Sequence, residues 1–64
     1  MTTEENQEIQ KAGVNARAAG RSRYDNPYLK TEATPSATGE SANVWQDKCV
    51  AWMFGWDMED TMRS

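Results

Sequence analysis

The chain has 64 residues, 38% of them hydrophobic, with ten acidic side chains against seven basic ones and no histidine, giving a net charge of −3. That length allows one small domain with a thin core, and the acidic balance excludes a protein that coats nucleic acid by bulk electrostatics, because such domains carry a basic excess. A single cysteine, Cys49, with no histidine excludes an internal disulfide and a zinc site; the absence of a glycine-rich phosphate loop and a Walker-type lysine points away from a self-contained enzyme, and no metal or cofactor is expected.

Thr2 followed by Glu5 has the spacing of a capping box, which satisfies orphaned backbone donors at a helix start. A helix over about 4–19 follows. Ile9, Gly13, Ala16 and Gly20 recur at spacings of three or four, with Ala12 and Ala19 beside them, so one face is apolar but built of very small residues that invite close approach. Gly20 is the natural left-handed stop, and Arg17 in the last turn suits the negative end of the helix dipole. The opening Met-Thr-Thr-Glu-Glu-Asn is acidic and polar, unlike a secretory signal, and no stretch approaches the length of a membrane span, so a reducing cytoplasm is the expected setting.

Residues 20–42 read as loop. Pro27, Pro35, Gly39 and many Ser, Thr and Ala leave apolar residues too sparse for either period, and 29–42 have the low hydrophobicity of a mobile linker. Positive charge is focused here: residues 21–30 carry +2, against −1 for 1–20 and −4 for 31–64.

A second helix is expected over about 43–60, capped by Asn43 with Gln46 three residues on. Trp45, Cys49, Trp52 and Trp56 form one stripe of a 3.6-residue helix, with Met53 alongside. Val50, Phe54 and Met58 lie on a different face, which one small helix cannot cover, so a homodimer is one way to bury it. Gly55 inside a helix costs about 1 kcal/mol against alanine, which is explained if another backbone packs there. The expected fold is all-α, a two-helix, hairpin-like single domain in which a tryptophan ridge nests antiparallel against the glycine and alanine face.

Gly13-x-x-Ala16-x-x-Ala19-Gly20-Arg21-Ser22, then Pro27-Tyr28, then Trp52-x-x-Gly55-Trp56 together resemble the ribosome modulation factor family, which includes small plasmid- and phage-borne relatives. The likeness covers roughly residues 12–28 and 49–60. It departs from the family pattern at Asn26, where the family has cysteine, in a longer Thr/Ser/Pro/Ala-rich connection, and in an acidic rather than basic balance. The resemblance implies docking on the small ribosomal subunit or its RNA, with translation modulated as in ribosome hibernation.

On that reading Arg17, Arg21, Arg23 and Lys30 meet phosphates, and Tyr28 is a loop anchor or a ring that stacks on an exposed base. The plainer reading makes the arginines a neutralised helix end and the rest a solvated surface. Trp45 and Phe54 are either core or an exposed patch for a protein partner. The acidic end, Asp57, Glu59 and Asp60, opposes the dipole and points to a partner or to ion pairing with Arg21 or Arg23. A second functional reading follows: an accessory protein of phage or plasmid type that binds and inhibits a host protein through its acidic and aromatic surface.

Overall fold

The computed structural model describes residues 2–63. Among them the fold is all-α: helix α1 spans Thr3–Ala18, α2 is the short Pro35–Thr38, and α3 runs over Ala42–Arg63, with single 3₁₀ turns at Arg23–Asp25, Pro27–Leu29 and Thr31–Ala33. No described helix is long and apolar enough to cross a membrane.

The ends of α1 are set by local chemistry. The Thr2 hydroxyl accepts the Glu5 backbone N–H at 3.2 Å. At the other end Gly20 takes φ +82°, so its N–H donates to the Arg17 carbonyl and that of Arg21 to the Ala16 carbonyl, both at 3.0 Å. These two bonds are a Schellman closure, which satisfies carbonyls that the helix leaves over. The start of α3 differs from expectation. Ser41, not Asn43, is the cap: its hydroxyl accepts the Val44 N–H at 3.2 Å, and Asn43 lies exposed inside the first turn.

The two long helices run in the same direction. Arg17, near the C-terminal end of α1, pairs with Asp60 near the C-terminal end of α3 at 2.8 Å, while Asn6 near the start of α1 lines one groove with Trp45 and Gln46 near the start of α3. An antiparallel hairpin would set Arg17 beside the beginning of α3, so that expectation does not hold. Instead the chain turns after Gly20 and runs back along the flank of α3. The Arg21 carbonyl accepts the Trp56 indole N–H at 3.0 Å, the Asn26 amide donates to the Cys49 carbonyl at 3.2 Å, and the Tyr28 carbonyl accepts the Trp45 indole N–H at 2.7 Å.

The stretch 29–42, expected to be a mobile linker, winds into short turns on its way to α3. α2 is closed by Gly39, at φ +78°, whose N–H donates to the Pro35 carbonyl at 2.9 Å. Beyond it Glu40 pairs with Lys48 at 2.8 Å.

Where α1 and α3 cross, glycine meets main chain. A Cβ at Gly13 would overlap the Trp52 carbonyl oxygen and lie 2.9 Å from the Trp56 nitrogen, and one at Gly55 would overlap the Gln10 carbonyl oxygen. At Gly13 the small-residue face therefore admits the α3 backbone itself, while Ile9 and Ala16 of the same face pack with the tryptophans. The Trp52 ring is nonetheless fully enclosed, 2% exposed, in a cluster with Ile9 and Ala51 against which Ala16, Tyr28, Met53 and Trp56 pack.

Candidate nucleic-acid interface

The candidate interface is the returning segment, residues 20–30, held on the α3 flank by caps of its own. The Ser22 hydroxyl accepts the Tyr24 N–H at 3.0 Å and the Asp25 carboxylate accepts the Ser22 N–H at 3.0 Å, a reciprocal pair that fixes the first turn. Asn26 governs the second. It is 2% exposed, its carbonyl oxygen accepts the Tyr28 N–H at 3.0 Å, and its amide reaches the Cys49 carbonyl on α3. Pro27 follows at the first position of the next turn, where its missing N–H costs nothing. Sequence reasoning noted Asn26 only as a departure from cysteine; the Asn-Pro pair was the available signal, since asparagine caps turns and proline opens them.

The basic residues divide into two groups. Arg17 and Arg23 are engaged: Arg17 bonds Asp60 and lies 5.6 Å from the centre of the Trp56 ring, and Arg23 grips Asp57 with two nitrogens at 3.0 and 3.2 Å. These pairs answer the acidic end of α3, so two of the four cations are committed inside the molecule. Arg21 and Lys30 are exposed and make no ion pair among the described residues. Both border a shallow depression of about 220 Å³ together with Tyr24, Asp25 and Leu29, and an adjoining one of about 250 Å³ beside Pro27.

Of the two tyrosines, Tyr28 is half-buried against the core cluster, so it anchors the loop. Tyr24 is the free ring, 80% exposed. Trp45 is half-buried, with its indole N–H bonded to Tyr28, whereas Phe54 is 53% exposed and lines an open groove of about 850 Å³ with Val50, Trp45, Asp47 and Leu29. Gly13, Ala16, Gly20, Pro27, Trp52, Gly55 and Trp56 all serve the crossing, the turns or the core.

Comparison adds no relative: no family model, curated sequence or solved structure matches the chain.

Chemically the edge offers charge from Arg21 and Lys30 and a stacking face from Tyr24, with the Asp25 carboxylate beside them. Burial pushes the Cys49 thiol above its ordinary range, away from a reactive thiolate. Among the described residues no three His, Cys, Asp or Glu side chains gather as a metal site.

Proposed function

We propose that this protein is a ribosome-modulation-factor-like regulator of translation that works in the cytoplasm by binding ribosomal RNA of the small subunit through Arg21, Tyr24 and Lys30. The observation that carries the reading is an exposed tyrosine that shares one depression with two cations that make no ion pair among the described residues, Asp25 lying beside them. That combination suits an unstacked RNA base flanked by phosphates, since a ring stacks on any base and the cations meet the backbone. The residues behind the family resemblance support it from another side, because they are the ones that build the turns and the helix crossing presenting this edge.

Cosedimentation with isolated ribosomal subunits at low salt is the test. The protein is expected to travel with the small subunit, Tyr24→Ala to weaken binding roughly tenfold, in line with about 1–3 kcal/mol for one stacked base, and Arg21→Ala to weaken it and flatten its salt slope by about 0.7–0.9. Arg23→Ala, which removes a cation already held by Asp57, is expected to change binding far less. No protein in the subunit fractions at low salt overturns the reading.

The host-protein reading draws its support from Phe54, whose exposure on α3 suits a protein partner better than RNA. Recovery of one stoichiometric host protein after nuclease treatment, lost on Phe54→Asp, is the result it requires.

A further inference from the structure

The outward arc of α3 carries Val50, Phe54 and Met58 at 64%, 53% and 41% exposure, continued by Met62 at 83%. Spaced four apart, they form one ridge of the kind that interdigitates with its like in the commonest class of helix packing. Neither α1 nor the returning segment covers it. The molecule is correspondingly thin, with Cα extents of 37 × 24 × 13 Å, and it exposes 4408 Å², where a compact monomer of its mass exposes about 4,100 Å². Domains are ordinarily two packed layers. This one is a single layer with an apolar ridge on the outside.

We propose that this ridge is the interface of a homodimer, formed by two copies of α3 crossing antiparallel about a two-fold axis through Phe54. An isologous contact needs a surface complementary to itself, and this one meets the condition residue by residue. With Phe54 on the axis, Val50 falls beside the partner's Met58 and Gln46 beside the partner's Met62. The exposed carboxylate beside the ridge meets no like charge, since Asp47 falls opposite the partner's Thr61, and Asp57 is already paired with Arg23. The apolar ridge offers on the order of 400 Å² per copy, so with its polar rim the interface reaches about 1,000 Å² in all, the lower limit for a specific contact. A weak, reversible dimer follows. Of the returning segment only Leu29 reaches the groove beside Phe54, so Arg21, Tyr24 and Lys30 stay open in the pair.

Sedimentation equilibrium over a concentration series from 10 μM to 1 mM tests this. The apparent mass is expected to rise from 7.2 kDa toward twice that value, and Phe54→Asp to hold it at the monomer mass with an unchanged circular dichroism spectrum. In a second experiment Phe54→Cys is expected to cross-link to itself under mild oxidation, whereas Glu8→Cys on the exposed side of α1 is not. A monomer at every concentration, or equal cross-linking at both positions, overturns the proposal. Loss of dimer on Phe54→Asp with ribosome binding intact separates it from the reading above.

Discussion

Asn26 joins two segments with one side chain, closing its own turn through the Tyr28 N–H and pinning that turn to α3 through the Cys49 carbonyl. Being 2% exposed, it has no water to replace either partner, and an unsatisfied buried group costs about 1–3 kcal/mol. Asn26→Ala is therefore expected to lower the melting temperature by roughly 5–15 °C, since about 1 kcal/mol moves a domain of this size by 4–8 °C. Asn26→Asp is expected to be worse at neutral pH, because it turns the donor facing Cys49 into a buried negative charge. A thermal melt followed by tryptophan fluorescence checks both, and equal stability of the three proteins would show that the returning segment is not held this way. The same residue marks a limit of sequence reading. Asparagine before proline announces a turn, but its second hydrogen bond spans 23 positions, and no local pattern carries that pairing.

At the scale of the helices, the two glycines at the crossing decide how closely α1 and α3 approach. Alanine at either position would gain about 1 kcal/mol in helix propensity. A methyl group there would overlap a carbonyl of the opposite helix, and main chain cannot rotate aside as a side chain can. The clash wins, so Gly13→Ala and Gly55→Ala are each expected to destabilise by about 3 kcal/mol or more, whereas Ala12→Gly, on the exposed side of α1, is expected to cost about 1 kcal/mol; urea unfolding measures all three. Close approach was legible from Gly55 placed inside a helix and from the small face around Gly13. The direction of α3 was not. A small face and a large one pack in either sense, and what selects the parallel one here is a set of long-range bonds, from Trp56 to Arg21, Trp45 to Tyr28 and Arg17 to Asp60. The cap of α3 was misplaced for a simpler reason: Ser41 and Asn43 are both good caps, and only the path of the incoming chain chooses between them. That the acidic helix end needs cations was legible, but not the choice among Arg21, Arg23 and a partner; Arg23 takes Asp57, and Arg17 takes Asp60.

For the whole molecule, charge sets how binding behaves. The net charge of −3 gives no general attraction to RNA, so the proposed contact depends on the edge where the chain turns back. Four cations cluster in the sequence from Arg17 to Lys30, but Arg17 and Arg23 are spent on Asp60 and Asp57, which leaves Arg21 and Lys30 for phosphates. Each neutralised phosphate adds about 0.7–0.9 to the steepness with which log affinity falls against log salt. The most direct measurement is thus that slope, taken for the intact protein on small ribosomal subunits. Two phosphate contacts give about −1.4 to −1.8. A slope near −3 or steeper would mean that Arg17 and Arg23 leave their carboxylates to bind, and would contradict the division of the basic residues on which the proposed interface stands.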